Sequence, residues 1–397
     1  MAFGTFAASL SLLGSITAVC AAIAIVGTLY LLYALAQLLR FQRRARGPAR
    51  AADDSSNRFR PAVTILKPLC GLDAQLYENL RSFCDQEYES FQIIFGVRDH
   101  DDPAIAVVKR VIAEFPNRDL ELVVDARVRV VNLKVANLMN MLEHAKHDIL
   151  AIADADMRVR PEYLTCVVEP FADERVGAVT MLFGAQPVAG FASRLRAMLI
   201  NDHFIPSVLV RLSVEKPNIG FGSTLAFRRS TLERIGGFDV LGSHLAEDTA
   251  FAKRVAELGL EVRVPPYVVQ TIAADDARAL WDHEMRWMRT IRALAPAGFL
   301  GSFVTYPLPF ALLVLALSRI SWLGAALVAL VLTVRILLHY AARRVLQLGR
   351  TADVWLIPVR DCLSVASWFA SFFGRDVLWR GRAFRINRGD DIALRGR

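Results

Sequence analysis

The sequence predicts an α/β domain, a Rossmann-like and mostly parallel sheet, attached to α-helical transmembrane segments. Three observations carry this reading. Of the 397 residues 54% are hydrophobic, which is too apolar for an ordinary soluble protein. Strand-length apolar runs alternate with helical spacings from Ala62 to Ala153, the order of a doubly wound sheet. Two of those runs stop abruptly at carboxylates, Asp99 and the pair Asp154 and Asp156, in the position where ligands of open α/β sheets collect.

Residues 1–39 contain no charged side chain, and the stretch from Phe6 to Leu39 exceeds the ~20 residues that cross a bilayer. A signal peptide competes with this reading, but the run is too long for one and no basic segment precedes it. Arg40, Arg43, Arg44, Arg46 and Arg50 follow, with no acid among residues 40–50. The positive-inside rule then sets this end in the cytoplasm and the N-terminus outside. With a net charge of +8 and arginines beside a membrane segment, the expected charged partner is the phospholipid bilayer; no nucleic-acid-reading motif is present. The five cysteines are scattered without metal-ligand spacing, as reduced cytosolic thiols would be.

Residues 51–292 read as one cytoplasmic domain, opening with a polar linker from Ala51 to Arg60. Ala62–Leu66 is β-rich and is broken by Lys67-Pro68-Leu69-Cys70-Gly71. Leu72–Gln86 has helical spacing, Phe91–Val97 is a buried strand, and Ala104–Glu114 a helix after Pro103. Strand Leu120–Val124, helix Leu133–Lys146 and strand Ile149–Ala153 complete the alternation. Beyond Asp156 the pattern predicts a helix over Pro161–Phe171, a strand over Gly177–Phe183 and a long apolar helix over Phe191–Leu212. Strand Leu225–Phe227, a helix from Glu247 to Leu258, strands Glu261–Val264 and Val268–Ile272, and a helix over Ala277–Ala293 follow.

Residues 293–397 return to the membrane. Residues 293–318 are uncharged, and Ile320–Val334 is a further apolar run ending at Arg335, so two antiparallel membrane helices joined near Arg319 are expected. Val354–Gly374 is interrupted by Arg360 and Asp361, a costly pair at mid-membrane unless the two neutralise each other or line a polar cavity. A re-entrant or interfacial segment is favoured over a span, which keeps the basic tail from Arg375 inside.

Asp154 and Asp156 lie one residue apart at a strand end; on a period-2 strand they share a face and can converge on one hard cation, Mg or Mn, that also touches a nucleotide diphosphate. A polar turn is the competing reading of an isolated Asp-x-Asp. Further acids follow in order at Glu247-Asp248, and then Arg286-Trp287 near the membrane. Together with Lys67-Pro68-Leu69-Cys70-Gly71, Asp99-His100-Asp101-Asp102-Pro103-Ala104 and Asn132-Leu133-Lys134, this resembles the ceramide glucosyltransferase family. It is also similar to bacterial glycosyltransferases that modify hopanoids, around Asn79-Leu80-Arg81-Ser82-Phe83 and Phe95-Gly96-Val97-Arg98-Asp99. One position departs from the pattern: where the family has Gln or Arg before x-x-Arg-Trp, this chain has His283.

The resemblance implies a GT-A-type fold, a UDP-sugar donor, a divalent cation, a membrane-lipid acceptor, and inversion at the anomeric carbon. On this reading Asp154 and Asp156 hold the metal, and Asp248 is the general base. Donor contacts are expected from Lys67, Asp99, Lys134, Asp154, Arg286 and Trp287. The protein is then an integral membrane enzyme of a bacterial inner membrane, transferring glucose or a related hexose to ceramide or a hopanoid. Two other functions compete: a processive polysaccharide synthase, which needs a channel of several helices, and a non-catalytic nucleotide-sugar- or lipid-binding membrane protein.

Overall fold

The computed structural model describes residues 2–46, 59–188, 190–348, 353–379, 382–387 and 391–394, so most of the expected polar linker lies outside the described residues. Its centre is a seven-stranded sheet. In chain order the strands are β1 (Val63–Pro68), β2 (Phe91–Val97), β3 (Asp119–Val124), β4 (Ile149–Ile152), β5 (Met157–Arg158), β6 (Val176–Thr180), β7 (Leu182–Pro187), β8 (Leu225–Arg228), β9 (Glu261–Arg263) and β10 (Val268–Ala273). The sheet order is β3-β2-β1-β4-β8-β6-β9, while β5-β10-β7 form a second small sheet. Strands β3, β2, β1 and β4 are parallel; β8 is antiparallel to both β4 and β6.

The reason is visible in the residues. All of β2 and β4 is buried, as befits apolar strands covered on both faces. Helices Leu76–Cys84, Ala104–Glu114 and Leu133–Leu142 supply the crossovers. Side chains fix the starts of the last two: Asn132 accepts from the N–H groups of Lys134 and Val135. Asp102 accepts from Ala104 N at 2.8 Å and from Gly71 N at 2.8 Å, tying the loop after β1 to the next helix. The strand order reverses at β1, which opens a crevice beyond the carboxyl ends of β1 and β4.

Several elements differ from the sequence expectation. The single strand expected at Gly177–Phe183 is two strands in different sheets, β6 and β7, parted at the buried Met181. Its N–H turns to the carbonyl of Thr224, a tertiary contact that a continuous apolar run conceals. The helix expected over Phe191–Leu212 is helix Phe191–Leu199, a π-turn Ile200–Phe204 and helix Ile205–Val214. Each polar residue of that wider turn finds a partner. Asn201 bonds both backbone groups of Ala185 at 2.8 Å, and Asp202 and His203 face the opposite way.

In the membrane region, the N-terminal helix Ala2–Arg46 has 45 residues, about 68 Å at 1.5 Å each. Trp322–Val345 is also long and apolar enough to cross a bilayer, and so by composition is Phe191–Val214. The uncharged stretch 293–318 is not one helix. Pro296–Thr305 and Pro307–Leu317 meet at a bend of 52°, because Pro307 has no N–H with which to continue the preceding turn. The N-terminal helix packs against this bend through Gly27, where a Cβ would lie 2.2 Å from the Val304 carbonyl. The tail after Gly374 forms a third sheet, β11 (Asp376–Trp379), β12 (Arg382–Ile386) and β13 (Ile392–Leu394).

Arg360 and Asp361 lie in helix Ile357–Ala370, whose 14 residues reach only about 21 Å. They do not neutralise each other. Asp361 takes a bidentate fork from Arg335 at 2.7 and 2.9 Å, with His203 Nε2 3.0 Å from the same guanidinium. Arg360 pairs instead with Glu284 at 2.6 Å, and His339 with Asp202 at 2.8 Å. All four residues of the two arginine pairs have no exposed side-chain surface. Removing one partner of such a pair strands a buried charge, so Asp361→Leu is expected to cost about 3 to 5 kcal/mol of stability. The double variant Arg335→Met, Asp361→Leu should recover most of it. Thermal unfolding in detergent checks this; equal losses in the single and double variants would refute the pair.

Candidate active site

The crevice is lined from below by Lys67, the fifth residue of β1. Its side chain is fully buried: the Nζ donates to the Asp154 carbonyl at 2.6 Å and lies 3.8 Å above the Phe83 ring. Burial pushes this amine down to about 7, against the pull of Asp154 and Asp156. Lys67 therefore supports the acidic turn from beneath.

β4 ends at Ile152, so Asp154 and Asp156 sit in the turn to β5 and not on a strand. Their placement comes from the turn, not from period-2 alternation. The Asp154 N–H donates to Gly222 O at 3.0 Å, and Asp156 Oδ2 accepts from Thr271 Oγ1 at 2.8 Å. Burial raises the Asp154 carboxyl above its usual range, opposed mainly by Lys134 and assisted by Asp156 and Glu247.

Lys134 occupies the middle of the site. Its Nζ is 2.5 Å from Asp154 Oδ1 and 2.6 Å from Glu247 Oε1. Although burial opposes its charge, Asp154, Glu247 and Asp248 hold the ammonium well above the ordinary lysine range. Glu247 is consumed by this contact. Asp248, one residue on at the start of helix Glu247–Glu257, is only half-buried and accepts from Thr249 N at 2.6 Å. Burial, followed by the charge of Glu247, pushes its carboxyl up to about 7. Desolvation and its acidic neighbour outweigh the helix dipole, which favours the ionised form. Lys134, Gly222, Glu247 and Asp248 line one recess with an apolar back wall of Val135, Leu138 and Phe251.

Arg286 and Trp287 lie on helix Ala277–Leu294, which leads into the membrane region. Trp287 packs edge-on to Phe183 at 6.2 Å and against Phe204 at 5.4 Å; Phe204 in turn meets Phe221 at 5.4 Å, next to Gly222. The tryptophan is thus joined to the acidic turn through one aromatic cluster. His283, at the departing position, is buried 4.8 Å from the Trp287 ring, and its Nδ1 is 3.2 Å from Arg286 Nη2. Burial and the cations Arg196 and Arg286 hold this imidazole well below its usual range, so it is neutral and accepts from Arg286. Asp99 is exposed just past β2, the neighbour of β1, and accepts from Asp101 N at 3.0 Å. It keeps its turn-forming role while facing the open end of the sheet.

Two glycines escaped sequence reasoning. A Cβ on Gly222 would lie 2.3 Å from Asp154 Oδ2 and 3.2 Å from Lys134 Nζ, and one on Gly220 would lie 2.2 Å from the Asp248 carbonyl. At these two positions the backbone runs too close to Asp154 and Asp248 for a side chain. The visible signal was Phe221-Gly222-Ser223-Thr224 leading into a strand, where glycine marks a close approach. Gly222→Ala must turn the Asp154 carboxylate aside. It is expected to lower turnover by roughly tenfold to a hundredfold, the cost of an ångström-scale misplacement, with unfolding temperature nearly unchanged. Wild-type turnover in this variant would show that the carboxylate position is immaterial.

The acids present suit a hard divalent cation. Among the described residues no three His, Cys, Asp or Glu side chains form a complete cage. Two carboxylates in one turn are what such an ion takes from a protein when substrate phosphates complete its shell.

The pattern of glycosyl transferase family 21 matches residues 19–392 of the chain. Ceramide glucosyltransferase 1 of Caenorhabditis elegans is 26% identical over 242 residues, 59% of this chain and 51% of that protein. Ceramide glucosyltransferase 3 of the same organism is 24% identical over 278 residues, 69% of this chain and 60% of that protein. The chain therefore spans roughly half of the length of these curated relatives. The mannosyltransferase PcManGT from Pyrobaculum calidifontis, solved with GDP-Man and Mn2+, shares the GT-A-like fold. Its TM-score is 0.54 at 23% identity, covering 89% of this chain and 99% of that one.

Proposed function

The chain belongs to glycosyl transferase family 21, and from that premise we propose that it moves a hexose from a UDP-sugar to the hydroxyl of a membrane lipid, with inversion. Ceramide with glucose is the first choice, in line with the names of the two relatives; a hopanoid is the second acceptor. The observation that carries this reading is Lys134 held between Asp154 and Glu247, with Asp248 lining the same recess.

Asp154 and Asp156 would hold a Mg or Mn ion, which supplies charge compensation for the leaving diphosphate. Asp99 faces the nucleotide, and the Arg286 fork suits phosphate oxygens. Lys67 fixes the turn from beneath, and Lys134 orients Asp154 while remaining cationic. Asp248 accepts the proton of the lipid hydroxyl as its oxygen bonds to the anomeric carbon. The bond to the diphosphate breaks on the opposite face, UDP departs, and the configuration inverts. Trp287, on the helix that enters the membrane region, walls the approach of the lipid.

The test is transfer from UDP-glucose and other UDP-hexoses by the purified protein in nanodiscs containing ceramide or a hopanoid, read by lipid mass spectrometry. A glycosylated lipid with inverted configuration is expected; UDP-sugar turnover giving polymer, or none with any lipid, would overturn the reading. We also place residues 59–292 in the cytoplasm of a bacterial inner membrane, since Arg40, Arg43 and Arg44 close the first apolar helix. An introduced cysteine at residue 60 should resist impermeant reagents in intact cells, and external labelling would reverse the orientation.

A further inference from the structure

The stretch between Leu241 and Glu247 has no regular structure, yet it must hold the two acids in place. Its inner edge is fixed by Asn132, whose N–H donates to Gly242 O and whose Nδ2 donates to His244 O, each at 2.8 Å. The same Asn132 caps the helix that carries Lys134. The outer edge is held by a segment almost 150 residues further along the chain. Ile392 N donates to Ser243 O at 2.7 Å, and Ser243 Oγ donates to Asp391 Oδ1 at 2.9 Å. His244 Nδ1 lies 3.6 Å from the same carboxylate. Leu245, 8% exposed, is sealed against Val377, Phe384, Ile386 and Ile392, the apolar face of the C-terminal sheet.

The other side of that sheet is anchored to the helix of Arg286 and Trp287. Arg289 donates to the carbonyls of Asp376 and Phe373, and Arg292 to that of Gly374 at 2.9 Å. Ala293 and Trp379 pack at the margin of the same cluster. One small sheet therefore touches both the loop that enters Glu247-Asp248 and the helix that bears the Arg-Trp pair.

We propose that this C-terminal sheet is a fixed clamp that sets the position of Asp248 relative to Arg286 and Trp287, with Asp391 and Phe384 as positioning residues. The proposal rests on the reading that Asp248 takes part in transfer. A loop hydrogen-bonded along one edge can swing about it; a second bonded edge removes that freedom before any substrate arrives. The side chains of Asp391 and Phe384 meet the loop at Ser243 and Leu245, so trimming either one should leave donor affinity little changed.

The experiment uses the full chain in nanodiscs, with Asp391→Ala and Phe384→Ala made separately. Expected are a fall in kcat of about 10- to 100-fold, UDP affinity within about twofold, and faster amide hydrogen exchange at residues 242–248. Exchange is read without any transfer assay, so failure of the clamp is distinct from failure of the proposed reaction. Unchanged exchange in both variants overturns the proposal, whatever the turnover. A second pair, Ser243→Cys with Asp391→Cys, is made in a Cys70→Ser, Cys362→Ser background, because those two thiols are exposed. Oxidation of the pair should leave turnover close to that of the background. Loss on oxidation and recovery on reduction would instead identify a lid that has to open.

Discussion

Asp154→Ala is expected to lower turnover by at least about 1,000-fold, because a metal clamp on a leaving diphosphate is worth several kcal/mol and each 1.4 kcal/mol is a factor of ten. The loss has two physical parts. One is the missing oxygen ligand. The other is Lys134, which would keep only Glu247 at 2.6 Å and turn towards it, drawing positive charge away from the turn. The isosteric Asp154→Asn separates them. It retains a neutral oxygen but not the charge, so its turnover should be nearly as low, with the fold intact. UDP-sugar binding, measured by calorimetry with and without manganese, should weaken in both variants only when the metal is present. Full activity of the wild type in excess chelator would remove the metal from the account and leave Asp154 as a partner of Lys134 alone.

The elements legible from sequence were those whose signal is local. Phe91–Val97 and Ala104–Glu114 occur at the expected residues because a strand-length, mostly apolar run and a proline-led amphipathic turn need no tertiary information. Glu284 illustrates the opposite case. Its partner Arg360 lies 76 residues away, and no spacing rule pairs a helix before the membrane region with one near its end. The C-terminal sheet was hidden by its charge. Phe384 and Ile386 lie two apart with Arg385 between them, a usable period-2 pattern that the density of arginines made look like a solvated tail. In the site, the order of acids and the Arg-Trp pair singles out Asp154, Asp156, Asp248, Arg286 and Trp287 as candidates. What the order could not give was direction: that Lys67 points inward beneath the turn, that Glu247 is taken by Lys134, and that Gly220 and Gly222 make room for both acids.

Direction also distinguishes the two candidate bases. Glu247, 6% exposed, is held by the Lys134 ammonium, and a carboxylate in a tight ion pair is a weak proton acceptor. Asp248 is half-buried and pushed up to about 7 by desolvation and by Glu247. Near that value a base is both ionised at working pH and avid for a proton, the compromise that general-base catalysis favours. Asp248→Asn should therefore cut kcat by about 100- to 10,000-fold while UDP-sugar affinity stays within a few fold. The sign of the pH dependence follows from the same carboxyl. Below about 7 it is protonated and cannot accept the lipid proton, so wild-type turnover should rise as pH increases through that value, and the residual rate of Asp248→Asn should lack this limb. Glu247→Gln gives the complementary reading: freed from one carboxylate, Lys134 stays on Asp154, and turnover should fall less than in Asp248→Asn. Near-normal turnover in Asp248→Asn together with loss in Glu247→Gln would make Glu247 the base, and the acceptor would then have to approach from the Lys134 side of the recess.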